Sequence, residues 1–478
     1  MPNIVIEAGR GHGHSRRALV FAASATLTVV RFAAVFVLLL GCTRPAGTAT
    51  AVGSADVSAA SADDGGVVSG TQSTDAAAAS AEPDPDGDDD PIDSGAGPLP
   101  MDLHFERIGR APLALRRICD LTPLGDALYA SHANEPLGTD GATITRYRPE
   151  DAKHPFSVAF DWNRPGEPTK GGGAGQGFLR VHAIGGRLFV PDTDPPYAGF
   201  GISDHGTEGF VFISDQDGRF LPATQPGHRP PATAGVLPRA YHVIDVIRYR
   251  GRDYASTGSV PPTERAWRGA SPGALHVADE RDRRWTYEVD YPFPWRDGVW
   301  RLTYLVRFRG SLYAGIQDYD GREPNDYVVF SPPEGADHIG HDDEHTRRVT
   351  GGGGALTLRW FADAHRLWWI ALERGRRGAT LRVTDDGEAW SVVPLPAEAG
   401  SPADVASWRG AVVALTEWGL WRVDVDPPVL LAAVTAKRSP FPVDDAFCTA
   451  PLSVFRGELY AGDQRDGALW RIRSSSGI

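Results

Sequence analysis

Lysine is nearly missing from this chain. Among 478 residues it occurs only at positions 153, 170 and 437, so almost all basic charge is arginine. We read that as the coding bias of a GC-rich genome, not as chemistry. No stretch groups Lys and Arg densely enough to match nucleic-acid phosphate, so no nucleic-acid partner is expected. A membrane-spanning run is lacking too. The apolar run at 32–40 has nine residues, too few to cross about 30 Å of hydrocarbon as a helix. Long helical periodicity is absent after residue 100. No Gly-x-Ser-x-Gly elbow occurs. The glycine-rich stretch 171–177 (GGGAGQG) lacks the Lys-Ser/Thr step and the strand–helix context of a phosphate-binding loop. No complete catalytic or metal motif is present.

What is present is uneven. Residues 1–42 carry Arg10, Arg16, Arg17 and Arg31 against Glu7. Residues 43–100 carry eleven acids against Arg44, and the remainder is mildly acidic, about −6 of the total −13. The segment 43–100 is Ala, Ser, Gly, Asp and Pro with almost no aromatics, and 82–93 (EPDPDGDDDPID) is dense in carboxylates. Low hydrophobicity and like charge cannot offset ordering entropy, so a disordered linker is expected there. Its r.m.s. span would be roughly 40 Å.

From residue 118 onward one hairpin recurs. Its type copy is 305–315 (LVRFRGSLYAG): apolar and polar residues alternate, a Gly turn follows, and a second strand centres on an aromatic. Equivalent second-strand positions are Tyr129, Phe189, Tyr254, Tyr313, Trp368, Val413 and Tyr460, spaced 45 to 65 residues apart. A third strand follows each, as at 208–215, 273–279 and 326–332, and then a turn and a fourth segment, as at 385–395 and 282–292. Seven units of four antiparallel strands predict an all-β chain, a seven-bladed β-propeller over 101–478. The many Trp and Tyr side chains are expected to pack between blades. The last unit runs out after three strands, whereas 102–107 (DLHFER) alternates without a unit of its own. It is expected to pair as the outer strand of the last blade and close the ring.

Residues 39–42, Leu-Leu-Gly-Cys, resemble the lipobox of bacterial lipoproteins, with an apolar residue at −3, a small one at −1, and then Cys. The resemblance covers these four residues and the signal-like segment before them, residues 1–41, whose long n-region departs from the pattern. It implies that Cys42 is acylated and becomes the mature N-terminus, with palmitate-type chains contributing roughly 0.8 kcal/mol per buried CH2. Thr43, not Asp, follows the Cys, which by family analogy favours the outer membrane. An exported, monomeric protein of the cell envelope, tethered through a lipid anchor and facing periplasm or cell surface, is therefore expected. With Cys42 taken by lipid, Cys119 and Cys448 remain. They sit at the beginning of the inner strands of the first and last blades, neighbours in a closed ring, and an oxidising compartment would bond them. In the loop-entropy model the ceiling for so long a loop is roughly 5 kcal/mol.

The turn 384–390 (TDDGEAW), and more weakly 214–220 (SDQDGRF), resemble the Asp-box hairpins of sialidase-like propellers. The resemblance covers short pieces of two blades and implies a structural turn, with Asp and Gly shaping it and the aromatic packed beneath.

In propellers the connection after the second strand opens on the face where the first strand starts, and ligand sites usually lie there around the channel mouth. These positions nominate His132, Asp192, Asp194, Asp204, His205, Gln317, Asp318, Asp320, Glu373, Glu417, Asp463 and Gln464. Starts of first strands add Arg180, His182 and His242. Such a ring suits a protein or glycan ligand. The long connections here are the kind of loop that carries function on a rigid scaffold. The run 338–345 (HIGHDDEH) offers nitrogen and oxygen ligands, but its spacing matches no metal motif and a solvated loop is the preferred reading. No metal or cofactor is expected; the one cation the sequence admits is Ca2+. Residues 86–90 (DGDDD) resemble a calcium loop loosely, without its twelfth-position Glu or flanking helices. Two functions follow. The first is a tethered, non-enzymatic binding or scaffold propeller. The second is a sialidase-like glycoside hydrolase or another propeller hydrolase. Against the second, Arg107-Ile108-Gly109 departs from the Arg-Ile-Pro signature, and an Arg triad cannot be located.

Overall fold

A computed structural model describes residues 98–474 apart from 101, 114, 134–141, 163–176, 194–207, 222–232, 260–270, 279–283, 294–297, 319–325, 337, 341–344, 350–353, 376–377 and 445. The signal segment, Cys42 and the linker to residue 97 lie outside the described residues. The chain divides into Met1–Ala79 and Ser80–Ile478, and the second unit holds every blade.

The first strand, β1 (Leu103–Arg110), waits for its blade until the chain returns. Blade 1 follows as β2 (Arg117–Leu124), β3 (Ala127–Ala133), β4 (Thr143–Tyr147) and β5 (Phe156–Asp161). Blade 2 is β6 (His182–Ile184), β7 (Arg187–Pro191), β8 (Glu208–Ile213) and β9 (Gly235–Pro238). Blade 3 is β10 (Ala240–Tyr249), β11 (Arg252–Ser259), β12 (Gly273–Ala278) and β13 (Trp285–Tyr291). Blade 4 is β14 (Trp300–Phe308), β15 (Ser311–Asp318), β16 (Tyr327–Phe330) and β17 (Thr346–Val349). Blade 5 is β18 (Ala355–Ala362), β19 (Leu367–Glu373), β20 (Thr380–Thr384) and the short β21 (Ser391–Val392). Blade 6 is β22 (Pro402–Trp408), β23 (Ala411–Thr416), β24 (Gly419–Arg422) and β25 (Val429–Ala433). Blade 7 is β26 (Leu452–Phe455), β27 (Glu458–Gly462) and β28 (Ala468–Ser474), completed by β1 in the order β1-β28-β27-β26. Among the described residues the only helical turn is a 3-10 turn at Ala397–Ala399.

The expected closure is observed. Leu103 pairs with Ser474 and Arg110 with Ala468, antiparallel, with one bulge between Arg107 and Gly109. Cys119 and Cys448 form a disulfide with Cα atoms 4.7 Å apart across 329 residues of sequence. The ring is thus fastened twice at one seam, by a borrowed strand and by a covalent bond.

The core sits in the seams. Seven apolar clusters correspond to the seven blade contacts. Strand alternation puts one face of each blade against each neighbour, so both faces are buried and the inner strands read as near-continuous apolar runs. Each of the seven second-strand residues that define the repeat is at most 7 % exposed. Aromatic pairs cross the seams, as Tyr147 to Tyr460 at 6.0 Å and Trp390 to Tyr327 at 6.0 Å.

Antiparallel order makes two unlike faces. Starts of inner strands and the connections between second and third strands share the upper face. Turns between first and second strands, and between third and fourth, share the lower. The turn 384–390 is held by Asp386, whose Oδ1 accepts from the N–H of Glu388 and Ala389, each at 2.8 Å, while Trp390 Nε1 donates to Tyr327 Oη at 2.7 Å. In 214–220 the corresponding bonds are taken by Asp215, from Asp217 N at 2.9 Å and Arg219 N at 2.8 Å.

Candidate functional site

Inner strands of this ring carry β-bulges between Ile118 and Asp120, Val243 and Asp245, Thr357 and Arg359, and Pro402 and Asp404. A bulge re-aims the side chain that follows it. Here it turns Asp120, Asp245, Arg359 and Asp404 toward the axis, where Arg180, Tyr304 and Thr449 of the other three blades join them. The resulting ring is Asp120, Arg180, Asp245, Tyr304, Arg359, Asp404 and Thr449, none more than 8 % exposed. Contacts between non-adjacent blades show that these side chains meet across the channel. Arg359 of blade 5 donates from Nη1 to Asp120 Oδ1 of blade 1 at 3.1 Å and from Nε to Thr449 Oγ1 before blade 7 at 3.1 Å. Arg180 lies 3.5 Å from Asp120 and 4.0 Å from Asp245, and its guanidinium covers the Tyr304 ring at 4.2 Å. Tyr304 Oη donates to the Phe447 carbonyl, and Arg359 Nη2 donates to the Cys119 carbonyl. The segment carrying Phe447, Cys448 and Thr449 therefore crosses the upper mouth and ties it to the disulfide.

Three of these residues also lock neighbouring blades. Asp120 Oδ2 accepts Val181 N at 3.1 Å, Asp245 Oδ2 accepts Leu305 N at 2.8 Å, and Asp404 Oδ2 accepts Leu452 N at 2.8 Å. Each bond reaches the inner-strand segment of the next blade. A carboxylate buried this deeply persists only when hydrogen-bonded or paired. Burial pushes Asp120 above the ordinary carboxylate range. It pushes Asp404 up to about 7. Burial also opposes ionisation of Asp245, but His182 and Arg180 outweigh it and hold the carboxyl below its ordinary value. His182 Nε2 contacts Asp245 Oδ1 at 2.6 Å; against the cost of burial, that carboxylate raises the imidazole.

The sequence-nominated residues scatter. Arg180 and His182 are in this central cluster. His242 and Gln317 meet on the upper rim through Arg301. His242 Nδ1 donates to the Thr193 carbonyl at 2.6 Å, which leaves Nε2 to accept from Arg301 Nη2 at 2.9 Å. Arg301 Nη1 donates to Gln317 Oε1 at 3.4 Å. His132 is elsewhere, inside blade 1, with Nδ1 3.0 Å from the Arg117 carbonyl and Nε2 2.7 Å from Thr145 Oγ1. Burial lowers it to about 4, so it is a neutral imidazole joining three strands. Glu373 accepts from Arg382 at 2.7 Å. Glu417 accepts the N–H of Ser401 at 2.9 Å and of Val443 at 3.3 Å. Asp463 accepts from Arg465 N, Asp466 N and Trp470 Nε1. Gln464 donates to the Ile118 carbonyl at 2.5 Å. Asp192 and Asp318 are buried on the upper side of blades 2 and 4. Asp194, Asp204, His205 and Asp320 lie outside the described residues. His338 Nδ1 lies 3.1 Å from Glu288 Oε1. Among the described residues no three His, Cys, Asp or Glu side chains are grouped to hold a metal ion.

Residue-by-residue reading missed Asp120, Asp245, Tyr304, Arg359 and Asp404. A signal existed: with Arg180, each stands nine residues before the second-strand position of its own blade.

No protein-family model and no curated protein matches this chain. Solved structures do. The extracellular domain of a putative hybrid two-component system from B. thetaiotaomicron is 10 % identical, with a TM-score of 0.45 over 77 % of this chain and 39 % of that one. BamB from Moraxella catarrhalis is 12 % identical, with a TM-score of 0.38 over 78 % of this chain and 99 % of that one. A gluconolactonase from Xanthomonas campestris is 17 % identical, with a TM-score of 0.36 over 79 % and 97 %. The chain thus spans well under half the length of the first of these. At such identities and TM-scores these likenesses carry no argument about function, and the seven-bladed ring is read from the chain's own strand pairing.

Proposed function

We propose that this protein is a membrane-tethered, extracytoplasmic propeller that works as a binding or scaffold module for a protein or glycan on its upper face. One observation carries the reading. The channel is lined by buried side chains that pair with one another, with Arg359 on Asp120 at 3.1 Å and His182 on Asp245 at 2.6 Å. What such a molecule can offer a partner is a rigid rim and the connections rising from it, among them those after β7, β11 and β15. The rim trio His242, Arg301 and Gln317 joins blades 2, 3 and 4 and supplies both donor and acceptor groups. The tether would be Cys42 with its acyl chains, followed by the acidic linker.

A sialidase-like reading needs three arginines facing a substrate carboxylate and a Tyr nucleophile. Arg180, Arg359 and Tyr304 do converge, which is the one observation in its favour. Arg180, however, faces the chain's own Asp120 and Asp245, Arg359 faces Asp120, and their side chains are 9 % and 5 % exposed.

A glycan array and a sialoside-hydrolysis assay on the same preparation separate the two. Retention without turnover, lost in Arg301→Ala, is expected. Turnover lost in Arg359→Lys would replace the binding reading with the enzymatic one. Incorporation of labelled palmitate into the wild type but not into Cys42→Ser tests the tether.

A further inference from the structure

On the lower face four of the seven inner hairpins turn through the same sequence, an aromatic residue followed by Arg and Gly: 249–251, 308–310, 408–410 and 455–457. Arg250, Arg309, Arg409 and Arg456 take left-handed φ of 50 to 54°. Each guanidinium folds over the ring of the residue before it, at 5.3, 5.5, 5.3 and 5.1 Å. The rings are buried in the seams, and two of them reach the next turn: Tyr249 Oη donates to the Gly310 carbonyl at 2.7 Å and Trp408 Nε1 to the Gly457 carbonyl at 3.0 Å. Inner hairpins lie nearest the axis, so these arginines form an annulus about the lower end of the channel. Arg187 and Arg366 extend it in blades 2 and 5. Packing alone explains the aromatic residue and the glycine. It does not explain a positive charge at this position in four blades of an acidic protein.

Part of that charge is met on the spot. Arg456 pairs with Glu150, and Arg366 with Asp385 at 3.3 Å. Arg250 donates to the Pro333 and Pro332 carbonyls at 2.7 and 2.8 Å. Among the described residues, no carboxylate lies within ion-pair distance of Arg309 or Arg409. The outer turns of the same face carry acids instead, such as Asp217, Asp385 and Asp424. The inner turns also carry Asp126, Asp363 and Glu458, so the uncompensated positive charge of the annulus rests with Arg309 and Arg409.

The chain enters the propeller on this same face. Leu103 opposes Ser474, the lower end of β28, and Leu99 packs against the core between blades 6 and 7. Ten residues before Leu103 ends the stretch 82–93, with seven carboxylates in twelve residues. From outer strand β1 to inner strand β26 is three strand spacings, about 14 Å. Because Leu99 is packed on the core, about six residues are free to reach back to Asp93, spanning roughly 13 Å r.m.s. and about 20 Å when extended. The reach is sufficient, and the blades flanking the point of arrival are those of Arg409 and Arg456.

We propose that the acidic segment 82–93 of this chain docks on the arginine annulus of the lower face, Arg409 and Arg309 foremost. Docking would lay the acidic segment across the lower end of the channel. The inference does not depend on what the upper face binds. Contacts between exposed charges are individually weak. Several act together here, and the segment is covalently held near its site, which raises its effective concentration.

The test uses the full chain with Cys42→Ser and spin labels at Gly87→Cys and at Ala364→Cys, an exposed position in the blade 5 inner turn. Electron–electron distances are measured at about 0.1 M and about 1 M salt, between which the screening length falls from about 10 Å to about 3 Å. A narrow distance distribution at low salt is expected, broadening at high salt. It should be equally broad at both salts in Arg250→Gln/Arg309→Gln/Arg409→Gln, with that variant's fold checked by circular dichroism. Replacing the acids of 82–93 by Asn and Gln should have the same effect without touching the propeller. A broad, salt-independent distribution in the parent chain would overturn the proposal. So would annulus-dependent binding of phosphatidylglycerol vesicles with no change in the label distances, which would assign the annulus to lipid phosphate.

Discussion

Asp404 shows what one buried carboxyl does to the whole ring. It accepts Val405 N and Leu452 N, each at 2.8 Å, and burial moves it up to about 7. The unfolded chain would release the same proton near pH 4. Between those values the folded state binds more protons than the unfolded one, so stability falls as pH rises through that window. His182 acts in the same direction. Its raised value contributes stability that is present below about pH 6.5 and is lost as pH climbs through the folded value. The urea midpoint should therefore fall between about pH 5 and 8. Asp404→Asn should flatten the lower part of that slope, whatever it does to the absolute midpoint. An unaltered slope would mean that Asp404 is ionised in the folded protein at pH 5.

The third-to-fourth strand turns are the elements in which one atom matters most. Gly387 has φ +78°, and a Cβ built there would meet Tyr313 Oη at 2.1 Å; Gly218 has φ +70° and meets Tyr129 Oη at the same distance. Each turn thus sits on the second-strand tyrosine of the preceding blade. Gly387→Ala should lower stability by about 1–3 kcal/mol through backbone strain, with displacement of Tyr313 added. In a Tyr313→Phe background the same change should cost less, because the clashing oxygen is gone and what remains is the strain and a 3.2 Å approach to the ring. Equal costs in the two backgrounds, read from denaturant midpoints, would show that the turn moves away without the tyrosine's help.

For the whole molecule the seam between blades 7 and 1 is decisive. The disulfide closes 329 residues, for which the chain-entropy model gives a ceiling of roughly 5–6 kcal/mol. Because β1 also fastens this seam along eight residues, Cys119→Ser/Cys448→Ser should still fold to the ring. Its denaturation midpoint should be lower by a fraction of that ceiling, and its slope against denaturant steeper, since the unbridged unfolded chain exposes more surface. Equal midpoints for the double variant and the oxidised parent would leave β1 as the only effective fastening.

The strands, the number of blades and the closing strand were legible because strand alternation and turn chemistry are local. Apolar positions two apart, with glycine at the turn, specify a hairpin wherever it occurs, and seven hairpins with a spare strand specify a closed ring. The disulfide was legible because few cysteines leave few pairings. The central cluster was not. Asp120 and Arg359 are 239 residues apart, and Arg180 reaches Asp245 on one side and Tyr304 across the axis. Their spacing of nine to the next strand is a regularity in the chain, but its meaning depends on bulges that turn those side chains inward and on closure that brings seven inner strands around one axis. For the same reason His132 and Glu373, polar at the expected positions, proved to be bonded within their own blades. Sequence alone determined the architecture, since it follows from contacts between near neighbours. Only the tertiary structure decided which charges share a dielectric and a partner, because that depends on distances that exist once the ring has closed.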